Sequence, residues 1–309
     1  MKKNPLVLLL AISGVFFALF LLFVFFTMGN IVKDRSLLAR GGVSVGVVKV
    51  HDVIMDSEKS LKQLKEFEED TSIKAIIVRI DSPGGAVGPS QEIHDAIKRV
   101  RKMKPVVASF ESVAASGGYY IAVAADRIVS NPGTLTGSIG VIMNMANLSE
   151  LYKWAKVERY NIKSGKFKDV GADTRAMSPE ERELVQNLID NVYNQFLKAV
   201  ADGRRLPVDS VKPYADGRIL SGEQAMAVGL VDKLGGIDVA IDMVKELAKI
   251  DAKQKVNLVF PEPKRRSLLE VIGQGAADSL FNAFAQRLGL PAGMGSLQGP
   301  ATQRGLFFL

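Results

Sequence analysis

Between Gly41 and about Ile250 the chain alternates short β-branched runs with helical stretches, and this alternation constrains the fold more than any other feature. Four runs have the length and composition of strands: Val43–Val50, Ile73–Ile80, Pro105–Phe110 and Arg127–Ser130. Helical patterns cover three further stretches: Ser57–Glu69, Ser90–Met103 and Gly118–Ala125. Strands that alternate with helices are typical of a buried, largely parallel sheet, so the sequence predicts an α/β fold.

The second half of this region is mainly helical in its patterns. The string SPEE beginning at Ser178 offers an N-cap serine, a proline at the first helical position and a glutamate at the third. It predicts a long helix that runs to about Ala201. Further helices are expected over Leu220–Gly229 and Ile237–Ile250. No low-complexity linker interrupts the region, so one domain over residues 41–250 is the simplest division.

Composition excludes several classes of protein. The 309 residues are 47% hydrophobic and 24% charged and include no cysteine, which excludes a disordered chain, a disulfide scaffold and a thiolate metal site. The net charge of +7 is spread along the chain rather than gathered in a basic stripe. We therefore expect no nucleic-acid partner.

The N-terminal segment is predicted to be a membrane anchor. The stretch from Leu6 to Met28 carries no charge and follows two lysines. At about 1.5 Å per residue it is long enough to cross a hydrocarbon core of roughly 30 Å. The alternative is a cleaved signal peptide, but the apolar part of those is usually only about 7–15 residues long. We expect residues 1–40 to be an uncleaved anchor and linker with its short tail in the cytoplasm, although three basic residues beyond the span compete in the positive-inside count.

Two glycine loops could carry chemistry. The string DSPGG at residues 81–85 follows a predicted strand and precedes a helix. Its adjacent glycines, Gly84 and Gly85, leave backbone N–H groups accessible to a ligand, because no Cβ intervenes. The ordinary alternative is a simple turn.

The second loop, AASGGYY at residues 114–120, places Ser116 where a strand gives way to a helix. A nucleophile there gains from the helix dipole, and the N–H of Gly117 could face a developing oxyanion. The alternative is that Ser116 is only an N-cap. The pattern alone leaves both interpretations open.

A nucleophilic serine needs a base, and the only histidines are His51 and His94. Both fit ordinary surface or packing roles, which disfavours a Ser-His-Asp triad and argues against a zinc site. The remaining candidate is a lysine made neutral by its surroundings. The string NIKSGKFKDV at residues 161–170 offers three choices that spacing cannot separate: Lys163, Lys166 and Lys168.

Five strings occur in a distinctive order: IDSPGG at 80–85, VAASGGYY at 113–120, GTLTGSIGV at 133–141, IKSG with FKD at 162–169, and GRILSG with GLVD at 217–232. In these strings the chain resembles the signal peptide peptidase A family, the short, single-repeat bacterial form of the S49 serine peptidases. The resemblance covers about residues 43–250. It implies a ClpP/crotonase-like fold, a peptidase domain at residues 41–250 and serine endopeptidase activity.

The resemblance also assigns a Ser/Lys dyad. It implies that Ser116 is the nucleophile and Lys168 the general base, while Ser138 orients the lysine and Lys163 is a bystander. The lysine would take the hydroxyl proton, deliver it to the leaving amine and then activate water.

The oxyanion hole is assigned by the same resemblance. The loop with Gly84 and Gly85 would supply one N–H donor and Gly117 the other, with the choice between Gly84 and Gly85 left open. No metal or nucleotide cofactor is implied.

The family further implies partners and a location. The expected substrates are remnant signal peptides and other apolar peptides at the cell membrane, reached by a single-pass enzyme whose peptidase domain is extracytoplasmic and near membrane lipid. A homo-oligomeric ring, in the family an octamer, would share each dyad between neighbouring chains. Two alternatives stay open: a related membrane serine peptidase that cuts a stomatin-like partner, and a non-catalytic crotonase-fold scaffold.

Residues 251–309 lie outside the resemblance. We expect an amphipathic helix followed by a flexible tail, with a stripe formed by Leu268, Leu269, Val271, Ile272, Leu280, Phe281, Phe284 and Leu288. The apolar tail LFFL at residues 306–309 is expected to reach the substrate groove and to be trimmed by the enzyme itself.

Overall fold

The computed structural model describes residues 13–24, 42–261 and 307–308. The chain divides into two units, one of Met1–Val43 with Lys253–Asn257 and the other of Ser44–Ala252 with Leu258–Leu309. The predicted C-terminal stripe at 268–288 lies outside the described residues. The division into domains 1–40, 41–250 and 251–309 stays a prediction.

In the first unit, residues 13–24 form a helix, α1, whose apolar side chains are mostly exposed. None of the described helices combines the length and the hydropathy needed to cross a bilayer. The rest of the predicted span at 6–28 lies outside the described residues.

The strands are β1 (Val43–His51), β2 (Ile73–Ser82), β3 (Gly85–Ala86), β4 (Val106–Ala115), β5 (Arg127–Ser130), β6 (Leu135–Gly137), β7 (Ile219–Ser221), β8 (Lys233–Leu234), β9 (Val256–Val259) and β10 (Phe307–Phe308). The helices after α1 are α2 (Glu58–Glu69), α3 (Val87–Val100), α4 (Gly117–Ala122), α5 (Ser149–Trp154), α6 (Pro179–Arg204), α7 (Val208–Val211), α8 (Gly222–Ala227) and α9 (Ile237–Leu247), with a 3₁₀ turn at Lys212–Tyr214. The predicted α/β architecture is confirmed, and all four predicted strands are present.

Strands β1, β2 and β4 run parallel in that order, and both β5 and β6 pair parallel with β4. Strand β4 changes neighbour along its length: Val107–Ser109 pair with β5, whereas Val113–Ala115 pair with β6. The sequence predicted this strand only to Phe110, because the polar and partly exposed residues that follow interrupt the apolar run. The extension matters because it carries the chain directly into Ser116.

Helices α3, α4 and α6 meet at an aromatic cluster. His94 of α3 lies 4.8 Å from Tyr120 of α4, and Tyr120 lies 5.1 Å from Phe196 of α6, measured between ring centroids. His94 is buried, so its predicted packing role is confirmed. Burial lowers the pKa of its imidazole, although Asp95 opposes the effect.

The predicted helix at Leu220–Gly229 is wrong in its first residues. The structure has strand β7 there, and α8 begins only at Gly222. The reason is a second capping box: Ser221 Oγ accepts the Gln224 N–H at 3.1 Å, and Gln224 Oε1 accepts the Ser221 N–H at 2.9 Å. The capping box predicted at Ser178 is confirmed, and α6 extends to Arg204.

Candidate active site

Ser116 follows the last residue of β4 in a strained backbone conformation, with φ 51° and ψ −117°. Few residues other than glycine adopt such angles, and they persist only where the surroundings fix them. Two hydrogen bonds do so here: the Ser116 N–H donates to Gly137 O at 2.9 Å, and Ser116 O accepts the Tyr120 N–H at 2.8 Å. The junction of strand and helix therefore holds this serine in one orientation.

The Ser116 hydroxyl is fully buried and has no hydrogen-bond partner among the described residues. A buried hydroxyl without a partner costs about 1–3 kcal/mol, so such groups are rare unless they have a function. The side chain does not cap α4, and this excludes the N-cap interpretation. The arrangement is that of a side chain kept available for chemistry.

The glycine loop is fixed against Ile54. Ile54 donates its N–H to Gly84 O at 2.8 Å and accepts the Ala86 N–H at 2.7 Å. A Cβ on Gly85 would lie 2.2 Å from Ile54 O, so only glycine fits there. The Gly84 N–H donates to Ser82 Oγ at 3.1 Å and is therefore engaged within the loop.

The hydrogen bonds to Ile54 use the Gly84 carbonyl and the Ala86 N–H, the groups on either side of Gly85. The Gly85 N–H therefore points to the opposite edge of β3, away from Ile54. That side faces Gly117: a Cβ on Gly117 would lie 3.2 Å from Gly85 N and 3.3 Å from Gly84 Cα. The structure thus brings the glycine loop and the residue after Ser116 into contact.

Ser138 occupies the matching position on the neighbouring strand. Ala115 and Gly137 are paired in the parallel ladder of β4 and β6, so Ser116 and Ser138 are the next residues of the two strands. Ser138 also has a positive φ, 49°, and its N–H donates to Arg218 O at 2.8 Å. This register places Ser138 beside Ser116, while its predicted role in orienting the lysine stays a prediction.

Lys168 is not hydrogen-bonded to Ser116, since Ser116 Oγ has no hydrogen-bond partner in the described part of the chain. The three lysines nevertheless differ. The Lys163 amine contacts Asp169 and Lys166 O, and the Lys166 amine is paired with Glu180. Within the described ranges the Lys168 amine has no hydrogen bond or ion pair, so it alone of the three is free to act elsewhere.

A peptide segment of the chain itself pairs with the glycine loop. Strand β10 runs antiparallel to β3, with Phe307 opposite Ala86 and Phe308 opposite Gly85. This pairing agrees with the prediction that residues 306–309 reach the substrate groove, while the trimming stays a prediction. The edge of β3 beside Ser116 can accept an extended peptide backbone.

Sequence reasoning missed the residues that support the site. Ser82 Oγ accepts the Gly84 N–H at 3.1 Å and donates to Asp52 O at 2.6 Å. Its position just before the two glycines could have indicated this supporting role. Arg175 and Glu181 hold the segment that carries Lys168, and nothing in their spacing indicated it.

Comparison with known proteins agrees with this geometry. The family described as Peptidase family S49 matches residues 98–251, and the one described as Clp protease matches residues 43–134. A protein of Synechocystis sp. named as a protease is 44% identical over 230 residues, which are 74% of this chain and 81% of the relative. A protein of Enterococcus faecium named as signal peptide peptidase SppA is 35% identical over 74% of this chain and 70% of its own length. The chloroplastic serine protease SPPA of Arabidopsis thaliana is 36% identical over 78% of this chain, which spans only 36% of that protein.

A parallel sheet that ends in a strained serine beside a glycine loop, together with the Clp protease match, defines a serine protease of ClpP-like fold. The chain belongs to peptidase family S49. It is a signal peptide peptidase A-like protein.

Proposed function

We propose that this protein is a membrane-anchored serine endopeptidase that degrades remnant signal peptides and other apolar peptides, with Ser116 as nucleophile and Lys168 as general base. The observation that carries the proposal is the buried, unpartnered hydroxyl of Ser116 on a strained backbone, among the described residues. Such strain is kept where the surrounding structure fixes it for a function.

The chemistry follows from these positions. Lys168 takes the proton from Ser116 Oγ as the oxygen attacks the scissile carbonyl, and the carbonyl oxygen becomes an oxyanion. Lys168 then gives the proton to the leaving amine, and the acyl-enzyme is hydrolysed by a water that the same lysine activates.

Gly85 and Gly117 are the oxyanion donors that the geometry favours. The Gly84 N–H is engaged by Ser82, whereas the Gly85 N–H faces Gly117. Each donor aimed at a developing oxyanion is worth about 2.7–4 kcal/mol in comparable enzymes. This supports Gly85 over Gly84, which the sequence could not separate.

The dyad is completed between neighbouring copies of the chain. Lys168 lies on an exposed segment and is not bonded to its own Ser116. The stretch from 142 to 167 exposes eight large apolar side chains: Ile142, Met145, Leu151, Trp154, Val157, Tyr160, Ile162 and Phe167. Exposed apolar surface of this extent is typical of an interaction site. We assign it to the contact between copies in a ring, with eight copies as in the family.

Substrates would bind as an extra strand antiparallel to β3, in the position that Phe307 and Phe308 occupy. Main-chain hydrogen bonds give affinity in this mode and place few demands on sequence, which suits the degradation of varied peptides. The uncharged run from Leu6 to Met28 would hold the site at the cell membrane in a single pass, with the N-terminus cytoplasmic and the peptidase domain outside.

The test is turnover of a fluorogenic peptide with small, apolar residues before the bond, by full-length protein purified in detergent. We expect Ser116→Ala and Lys168→Ala each to abolish turnover. Lys62→Ala is the matched control, because Lys62 is an exposed lysine that pairs with Glu66 on α2, outside the proposed contact between copies. It should keep wild-type turnover.

Mixing the two inactive variants tests the shared site. After dissociation and reassembly, about a quarter of the wild-type turnover should return, since each site needs one intact residue from each of two randomly mixed copies. No recovery in reassembled rings would contradict the sharing. Full activity of Lys168→Ala would contradict the base itself, and cleavage of one defined protein but of no peptide would favour the dedicated-partner alternative.

A further inference from the structure

The segment that carries Lys168 has little backbone support of its own. Residues 161–172 form no helix or strand. Backbone hydrogen bonds in this stretch form local turns: the Lys168 N–H donates to Gly165 O and the Val170 N–H to Phe167 O, both at 3.2 Å, and the Ala172 N–H donates to Asp169 O at 3.0 Å. Local turns do not by themselves fix a segment relative to the rest of the fold, so side-chain contacts contribute to its position.

Asp169, the residue next to Lys168, is held from two sides. Its carboxylate accepts Arg175 Nη2 at 2.9 Å and Nε at 3.3 Å, and it contacts Lys163 Nζ at 2.5 Å. Its side chain is only 11% exposed although the segment around it is open. Arg175 offers its planar fork, which fixes orientation as well as distance.

The same guanidinium also binds Glu181. Arg175 Nη1 donates to Glu181 Oε2 at 2.8 Å and Nη2 to Oε1 at 2.5 Å. Glu181 lies in the first turn of α6, is 6% exposed in its side chain and accepts the Ser178 N–H at 2.8 Å. Farther along, α6 buries Phe196 and Val200 in the core. The chain of contacts therefore leads from a rigid, packed helix to the residue beside Lys168.

We propose that Arg175 and Glu181 are positioning residues for Lys168: with Asp169 and Lys163 they form a clamp that sets where the lysine amine can reach. This inference rests on the proposed role of Lys168 as the base. We call these four residues the Arg175 clamp.

The clamp also determines the partner of Asp169. Without these contacts the Asp169 carboxylate would be available to pair with the adjacent Lys168 amine and keep it from Ser116. Arg175 and Lys163 occupy this carboxylate instead and lower the pKa of Asp169 to about 2. Contacts with Arg175 and with the Ser178 backbone likewise lower the pKa of Glu181 to about 2. Both acids are therefore ionised at any pH at which the enzyme would work, and the clamp stays closed.

The experiment measures kcat and KM of the full-length protein in detergent on the fluorogenic peptide. We expect Arg175→Gln and Glu181→Gln to lower kcat at least about tenfold, toward the ~100-fold that a displacement of about 1 Å can cost, with KM changed less than about twofold. Arg175→Lys should not restore kcat, because an ammonium lacks the fork. A merely structural role would not separate kcat from KM in this way.

Glu180→Gln is the matched control. Glu180 lies in the same turn of α6, but it pairs with Lys166 on the surface, where both side chains are more than half exposed. Exposed pairs contribute little, so kcat should stay within about twofold of wild type. Lys163→Gln is a second probe in case Glu181→Gln does not fold, because it removes one contact of Asp169 and leaves the capping box of α6 intact. It should lower kcat by a smaller factor.

Wild type and Lys168→Ala are measured first. If Lys168→Ala is inactive while Arg175→Gln and Lys163→Gln keep wild-type kcat, the clamp is refuted and the dyad stands. The clamp would also be refuted if Glu180→Gln lowered kcat as much as Arg175→Gln does, or if Arg175→Gln and Glu181→Gln raised KM without lowering kcat. If Lys168→Ala keeps its activity, the base assignment fails, and that result is distinct from failure of the clamp.

Discussion

Replacing Gly117 by alanine should lower kcat strongly while leaving the protein folded. The added Cβ would lie 2.7 Å from Ser90 Oγ, 3.2 Å from Gly85 N and 3.3 Å from Gly84 Cα. The contact with Ser90 can be relieved by rotation of the hydroxyl. The contacts with the glycine loop involve backbone, so the loop must move away by a few tenths of an ångström.

The magnitudes separate the effect on folding from the effect on activity. Rotation of Ser90 breaks its 2.9 Å hydrogen bond to Ala86 O, which costs about 0.5–1.5 kcal/mol. Alanine in place of a helical glycine stabilises the folded state by about 0.5–1 kcal/mol. The free energy of unfolding should therefore change by about 1 kcal/mol or less. The shift displaces the Gly85 N–H from the oxyanion; complete loss of such a donor costs about 2.7–4 kcal/mol in the transition state, so kcat should fall by up to about 10²–10³.

The assay compares kcat on the fluorogenic peptide with thermal unfolding of the same preparation. Gly133→Ala is the control, because a Cβ at Gly133 would meet nothing within 4 Å. Its kcat should equal that of wild type. A Gly117→Ala enzyme with kcat within about threefold of wild type and an unchanged Tm would refute the placement of the oxyanion donors.

Two further predictions concern other parts of the chain. Burial keeps the His94 imidazole neutral by lowering its pKa below the ordinary histidine value of 6.5. As the pH falls below 6.5, His94 therefore takes up a proton in the unfolded chain before it does so in the folded one. The free energy of unfolding, measured by urea titration, should therefore decrease from pH 6.5 toward 5 in wild type and in the exposed control His51→Gln. His94→Gln should lack this decrease. A decrease of the same size in His94→Gln would contradict the prediction. If the enzyme trims the tail that pairs with β3, intact mass should show a shortened C-terminal end in wild type and a full-length one in Ser116→Ala, and identical masses would exclude self-trimming.

The sheet and most helices could be predicted because their signals are continuous along the chain. Strand β4 shows the limit of this reasoning. Its polar middle residues, Glu111 and Ser112, end the apolar run, yet the strand continues because it leaves β5 there and pairs with β6. A change of neighbour exposes the middle of a strand, and no local pattern distinguishes that from the end of the strand.

The proposed nucleophile, Ser116, and the glycine loops could also be picked out from local strings. The choice between Gly84 and Gly85 could not, because it depends on Ile54, a residue from a different part of the chain. The Arg175 clamp could not be predicted from the sequence either. Asp169, Arg175 and Glu181 resemble ordinary surface charges in the sequence, and only the turns between them bring the three together.

The two halves of the proposed site therefore differ in what holds them. Ser116 is fixed by backbone hydrogen bonds at the end of a buried strand, and these can carry strain of about 1–3 kcal/mol because the surrounding sheet is rigid. Lys168 depends on charged side chains at an exposed segment, where salt screens the contacts and each bond is individually weak. Changes that leave the fold intact, such as added salt, should therefore lower activity by displacing Lys168 before they displace Ser116. The same asymmetry suits a site shared between copies, since the rigid half belongs to the fold of one chain and the adjustable half must fit its neighbour.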